Sequence, residues 1–247
     1  MYLALIRWDL MTTDQLEIIA KVSAPFKEKF GIPRQPRLAD AAISKVVFEP
    51  NFNSAEFVAG IEQHSHIWLL FLFHQNLEQG FKPLVRPPRL GGNAKVGVFA
   101  TRSTFRPNGI GMSAVKLLQS ETSGSQVILT VEGADLLDGT PIVDIKPYIP
   151  YSDSLPDATS EMAQEQDEQA LEVNFSEQAQ TQFEQLDLTQ YGKLKALIIQ
   201  VLEQDPRPAY KKSKADSKEY GIRLYDLNIK WQVNGQLCLV LSIEQEQ

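Results

Sequence analysis

The run HSHIWLLFLFHQ, residues 64–75, decides how the first half of this chain is read. Its nearly continuous apolar middle has the length of a strand and is flanked by polar residues, which predicts a central strand covered on both faces. Working outward from it, short β segments are expected at Ile18–Val22, Lys45–Phe48, His66–Phe73, Val96–Ala100, Gly111–Leu117, Val127–Val131 and Pro141–Ile145, separated by Pro/Gly turns. A series of short strands with no regular helical crossover predicts an all-β sandwich or barrel.

Beyond Pro150 the period changes. Ser176 followed by Glu177 opens an amphipathic stretch with Ala179, Phe183 and Leu186, and a second helix is expected over Lys193–Glu203, stopped by Pro206. Leu227, Ile229, Trp231 and Val233 then alternate up to Asn234-Gly235, with Leu237, Leu239 and Leu241 after it, a strong hairpin signal. The fold expected is a mainly β N-terminal domain with a smaller α+β C-terminal domain. Ten acids and no base lie between Asp153 and Asp187, in a stretch rich in Gln, Ser and Ala that reads as a linker and a solvated helix.

The 247 residues are 43% hydrophobic and 22% charged, so the chain can bury a core without staples. Its one cysteine, Cys238, forms no internal disulfide, and no Cys/His cluster has zinc-ligand spacing. A reducing cytoplasm and no metal are therefore expected. The start lacks a long apolar run and nothing approaches 18 apolar residues, so neither signal peptide nor membrane span is expected. The net charge of −7 is unevenly spread: residues 1–150 carry 15 Lys/Arg against 14 Asp/Glu, and residues 151–247 carry 9 against 17. From Gln79 to Ser120 there are seven bases (Lys82, Arg86, Arg89, Lys95, Arg102, Arg106, Lys116) and no acid, a directed electrostatic footprint inside an acidic protein.

There is no Walker A loop, no GxSxG elbow, no His-Glu-x-x-His helix and no G-x-G-x-x-G turn. DPRPAY, residues 205–210, is superficially similar to the D/N-P-P-Y/F motif of amino-methyltransferases on a doubly wound fold, but it follows a helix and an Arg intervenes. More telling are several long polar segments in fixed order: KEKFGIPRQPRL (27–38), FLFHQN (71–76), VRPPRLGGNAKVGVFATRSTFRPNGIGMS (85–113), DLLDGTPIVDIKPYIP (135–150) and DPRPAY. Together, over roughly Ile18 to Trp231, they resemble the TsaA-like family, and closely the TrmO-type tRNA methyltransferases.

The resemblance implies a single-sheeted β-barrel methyltransferase domain at 16–155, a C-terminal α+β domain at 156–247, and an N-terminal extension at 1–15 with no counterpart in the family pattern. It implies S-adenosylmethionine as methyl donor, N6 of threonylcarbamoyladenosine at tRNA position 37 as acceptor, and a homodimer. Carried over residue by residue, the donor contacts fall on Pro33, Arg34, Gln35, His74, Gln75, Arg102, Met112, Asp135, Leu136, Leu137 and Asp138. The donor presents a carboxylate, an ammonium, ribose hydroxyls, an adenine edge and a sulfonium, so its site needs a cation, acceptors and an apolar slot. Arg34 and Arg102 suit the carboxylate, and Asp135 or Asp138 the ammonium or ribose; the sequence does not divide these partners further. Asp138-Gly139 is independently a good turn. Gly109 stands where the family has a second proline, a change expected to loosen the backbone.

For the RNA, Arg86, Arg89, Lys211 and Lys212 are expected at phosphates, and Arg207 and Tyr210 at an unstacked base. Positioning alone can drive this methyl transfer, and the proton's acceptor is not identified; Asp144 and Tyr148 are candidates only because they follow the donor loop. A non-catalytic nucleoside-binding module, or a methyltransferase acting on another RNA or a small molecule, remains open from sequence.

Overall fold

The computed structural model describes residues 16–87, 94–123, 126–160, 170–207 and 216–246. Among the described residues eight strands occur before residue 150: β1 (Ala20–Ser23), β2 (Ile43–Phe48), β3 (His66–Leu72), β4 (Leu84–Val85), β5 (Val96–Gly97), β6 (Ile110–Ser123), β7 (Gln126–Glu132) and β8 (Pro141–Pro147). Six of them close an antiparallel barrel in the order β1-β2-β7-β6-β3-β8. β3 lies between β6 and β8, with Leu69 opposite Ser113 on one side and Ile145 on the other.

The central strand is not covered on both faces. Ile67, Leu69 and Phe71 are buried, while His66, Trp68, Leu70 and Leu72 between them are only partly so. A sheet closed on itself has one interior, and the period-2 geometry of a strand sends alternate side chains outward even in an apolar run. The strand expected over Val96–Ala100 is also corrected. Only Val96 and Gly97 pair, with Val85 and Leu84, outside the barrel, and residues 98–100 form a 3₁₀ turn. Thr101 closes that turn, both its backbone N–H and its hydroxyl donating to the Val98 carbonyl.

The later part contains α1 (Pro150–Asp153), β9 (Glu172–Phe175), α2 (Glu177–Glu184), α3 (Leu194–Glu203), β10 (Asp216–Leu224), β11 (Leu227–Asn234) and β12 (Leu237–Gln245). The sheet order is β10-β11-β12-β9, with β9 parallel to β12. Ser176 caps α2 as its sequence predicts, its Oγ accepting from the Ala179 N–H at 3.1 Å. Leu194, Leu197, Ile198, Val201 and Leu202 form the buried stripe of α3, and Trp231 is fully buried with Tyr220 stacked on it. The hairpin closes with Asn234 opposite Leu237 and Gly235 in the left-handed region.

The two cores do not divide where the chain divides. Phe26, Ala39, Ala41 and Ala42 belong to the core of the later part, and Phe30 and Ile32 pack against it. The 24–42 connection between β1 and β2 thus leaves the barrel, crosses the other unit and returns. No helix among the described residues is long and apolar enough to cross a membrane.

Candidate functional site

The 24–42 connection, the rim of the barrel and the loop before β6 enclose a cavity of about 820 Å³. One side is barrel: the ends of β3 and β6 supply Leu70, Phe71, Ile110, Gly111, Met112 and Ser113, and the β7–β8 turn supplies Asp135 to Leu137. Gly111 is required there, because a β-carbon would lie 2.5 Å from two ring carbons of Phe71 and 2.9 Å from Phe73. Gly109 has φ +60 and a β-carbon there would meet Leu77 at 2.5 Å, so the residue expected only to loosen the loop instead defines it; the ring of a proline is incompatible with that φ.

The ATRSTF segment is held by short side chains acting on their own backbone. The Ser103 N–H donates to Thr101 Oγ1 and the Phe105 N–H to Ser103 Oγ, each at 3.2 Å. Arg102 is thereby presented at the cavity, where its Nη1 donates to Gln35 Oε1 and links the two walls. Across from it, Ser113 Oγ donates to Asp135 Oδ1 at 2.6 Å. Burial pushes the Asp135 carboxyl above the usual carboxylate range, and the Ser113 hydrogen bond and the charge of Arg102 pull it back. The cavity therefore combines an apolar slot, a carboxylate and guanidinium groups in one enclosure.

Of the residues expected at the donor, Pro33, Arg34, Gln35, His74, Gln75, Arg102, Met112, Asp135, Leu136 and Leu137 all line this cavity. Met112 is 54% exposed, directed away from the barrel core. Leu136 is buried in the barrel core, consistent with an apolar or backbone contribution. Asp138 is not in the lining: its Oδ1 accepts from the Ala24 N–H at 2.9 Å and its Oδ2 pairs with Lys27 at 2.7 Å, so it fastens the turn to the end of β1. Neither candidate proton acceptor lines the cavity. Asp144 pairs with Lys146 at 3.0 Å, and Tyr148 packs against Trp68 and His66. Sequence reading missed Lys29 and Asn76, joined at 2.8 Å, as well as Thr101, Thr104, Phe105, Arg106 and Ser113. All of them lie inside the quoted motifs, so their place beside the residues carried over from the family was the available signal.

On the RNA side, Arg86 is exposed, on the hairpin that also exposes Lys82, Lys95, Phe81 and Phe99. Arg89, Tyr210, Lys211 and Lys212 lie outside the described residues. Arg207 is corrected. It is 3% exposed and forked onto Asp205, with Nε–Oδ1 and Nη2–Oδ2 both at 2.8 Å, so its guanidinium is not an open stacking plane. Asp205 itself sits at φ +47, a left-handed conformation that ends α3 and turns the chain. Cys238 is buried and its thiol is pushed up to about 12 by that burial, which removes it as a nucleophile. Among the described residues no group of His, Cys, Asp and Glu has the arrangement to hold a metal ion.

Comparison with known proteins matches residues 21–154 to the tRNA-methyltransferase O N-terminal domain and residues 168–246 to the TrmO C-terminal domain. A tRNA (adenine(37)-N6)-methyltransferase of Escherichia coli K12 is 46% identical over 234 residues, which is 95% of this chain and 99% of the relative. A Pseudomonas aeruginosa protein named as an S-adenosylmethionine-dependent methyltransferase, RcsF, is 48% identical over 219 residues, 89% of this chain and 92% of its own. The crystal structure of TrmO from Pseudomonas aeruginosa superposes with a TM-score of 0.77 at 40% identity, covering 94% of this chain and 99% of that one.

Proposed function

The chain belongs to the tRNA-methyltransferase O family, and from that premise we propose that it methylates N6 of the adenosine at position 37 of tRNA, in its threonylcarbamoylated form, with S-adenosylmethionine as donor. The observation that carries the donor site is convergence. Four segments far apart in sequence, around Arg34, His74, Arg102 and Asp135, meet at one cavity whose groups match what the donor presents.

When bound, the donor supplies a methyl group on a positively charged sulfur. Arg102 and Arg34 suit the donor carboxylate, and Asp135 suits its ammonium. With Oδ1 of Asp135 engaged by Ser113, Oδ2 is the oxygen for that cation. Leu70, Phe71, Ile110 and Met112 give the slot for its apolar parts and exclude water from them. The acceptor N6 carries the carbamoyl group and one hydrogen: its bond to the methyl carbon forms as the carbon–sulfur bond breaks, the neutral thioether leaves and the N6 proton passes to solvent. No covalent nucleophile is needed, and holding the reacting atoms about 3–3.5 Å apart supplies roughly 7–11 kcal/mol through orientation. Asp144 and Tyr148 lie outside the cavity lining.

The tRNA is drawn by the basic hairpin. Arg86 and the lysines beside it face phosphate, and Phe81 and Phe99 offer ring faces to unstacked bases. Arg89, Lys211, Lys212 and Tyr210 are RNA contacts in the same reading, while Arg207 is held on Asp205. The same reading includes a cytoplasmic location and a homodimer.

The test is methyl transfer from labelled S-adenosylmethionine to tRNA with and without the threonylcarbamoyl group, with donor affinity measured by calorimetry for the parent and Arg102→Ala. Turnover that depends on the modified tRNA, and a loss of about ten- to a hundredfold in donor affinity for the variant, are expected from one charge-assisted hydrogen bond. Donor affinity unchanged in Arg102→Ala would remove the cavity from the reading, and turnover without modified tRNA would remove the substrate.

A further inference from the structure

The Pro33–Gln35 wall of the cavity belongs to no barrel strand; the barrel part holds it at Lys29–Asn76 (2.8 Å) and where the Arg37 N–H donates to the Gly133 carbonyl (2.8 Å), and the C-terminal unit supplies further contacts on both sides. On its entry side, Phe26 is 1% exposed inside the second core, the Tyr225 N–H donates to the Pro25 carbonyl at 2.7 Å, and the Arg223 N–H donates to Glu28 Oε1 at 3.1 Å. Gly31, at φ +88, lets the chain pass so near β10 and α3 that a β-carbon would be 3.3 Å from Ile222 and 3.7 Å from Val201. On its exit side two glutamines one turn apart, Gln200 on α3 and Gln204 just past its end, grip the backbone. Gln200 Oε1 accepts from the Ala41 N–H at 2.8 Å while its Nε2 donates to Asp40 Oδ1, and Gln204 Nε2 donates to the Leu38 carbonyl at 3.1 Å. A glutamine is suited to position 200 because it faces a donor and an acceptor together; a carboxylate there would repel Asp40.

We propose that Gln200 and Gln204 are positioning residues for methyl transfer: α3 clamps residues 38–41 and thereby holds the Pro33–Gln35 wall at the spacing the donor requires. This rests on the reading of the cavity as the donor site. It makes the C-terminal unit part of the donor site without touching the donor.

The test uses the full chain carrying Gln200→Ala together with Gln204→Ala. Calorimetry with S-adenosylmethionine should show the donor Kd raised about tenfold, as expected for lost hydrogen bonds in series, with kcat at saturating donor retained. Gln200→Glu alone should also weaken donor binding, and Gln200→Glu combined with Asp40→Asn should restore it, since the donor and acceptor are then exchanged across the same contact. A merely structural role would lower the melting temperature without separating KM from kcat and without rescue by the exchange. If the double alanine variant does not fold, the exchange pair decides. Donor affinity unchanged in Gln200→Glu, or no recovery in the exchanged pair, overturns the proposal. Arg102→Ala run alongside separates the two readings: if it also leaves donor binding intact, the cavity assignment has failed, whereas if it alone loses binding, only the clamp has.

Discussion

The cavity wall formed by Gly111, Ser113 and Asp135 is laid down by the barrel, where pairing with β3 fixes Gly111 against Phe71 and Ser113 against Leu69 and a hydrogen bond from Ser113 holds Asp135, while the wall formed by Pro33, Arg34 and Gln35 is set largely by packing against another unit. The first wall needs little beyond local register. The second needs a folded C-terminal core, two glutamines and a glycine with positive φ. Their meeting point is the Arg102–Gln35 hydrogen bond, the place where an error in either would be felt. On the proposed reading, a site built this way couples donor binding to the integrity of the unit that the family model names separately.

That contrast is broken most severely by Phe26→Ala. Phe26 precedes the Pro33–Gln35 wall by only a few residues yet is wholly inside the second core, so truncation should cost about 3–5 kcal/mol of stability. Urea denaturation should show the loss, and donor calorimetry at a temperature where the variant is still folded should show weakened binding with the barrel wall intact. Unchanged affinity under those conditions would mean the second wall does not depend on its packing. The opposite wall is probed by Gly111→Ala. The added methyl would meet the Phe71–Phe73 pair, whose rings stand edge to face at 5.2 Å, and overpacking of this kind costs about 1–3 kcal/mol. Here the expected pattern is a lower melting temperature and a narrowed cavity, with the Gln200 contacts untouched.

The same contrast explains which parts could be read from sequence. Most of the barrel strands, the Ser176 cap and the Asn234-Gly235 hairpin follow from local period and turn chemistry and appear near where expected, whereas the strand at Val96–Ala100 does not and those at 172–175 and 216–224 are not among the strands expected. The quoted motifs led to the residues at the cavity because those segments end strands or form turns on one rim. The strand pattern leaves sandwich and barrel open and the family resemblance supplies the barrel, but the apolar run at 64–75 hides which positions face outward, so Trp68, Leu70 and Leu72 read as buried ones. Nor was the docking of residues 24–42, whose apolar positions follow neither period and whose partners lie some 160 to 200 residues away. Arg207 illustrates a subtler failure: a charge in a basic neighbourhood reads as a ligand contact until the structure shows its own carboxylate two residues back.

The smallest effect expected is also the one that separates stability from binding at the barrel wall. In Asp135 burial raises the carboxyl's pKa, so the folded protein binds this proton more tightly than the unfolded chain does. The sign follows: below the ordinary carboxylate value both states are protonated and burial of the charge costs nothing; as pH rises through the raised value the folded state must carry a poorly solvated charge, and stability falls. Asp135→Asn keeps an oxygen for the Ser113 hydroxyl and removes that charge. It should therefore raise the melting temperature of the ligand-free protein near neutral pH, with the gain shrinking toward zero as the pH is lowered through the carboxylate range. The same substitution removes the counter-charge for the donor's ammonium, so donor affinity should fall while stability rises. Melting curves across pH, paired with calorimetry, test both halves. A variant that is less stable at neutral pH, or that binds the donor as tightly as the parent, would show that this carboxylate is held for the fold and not for the ligand.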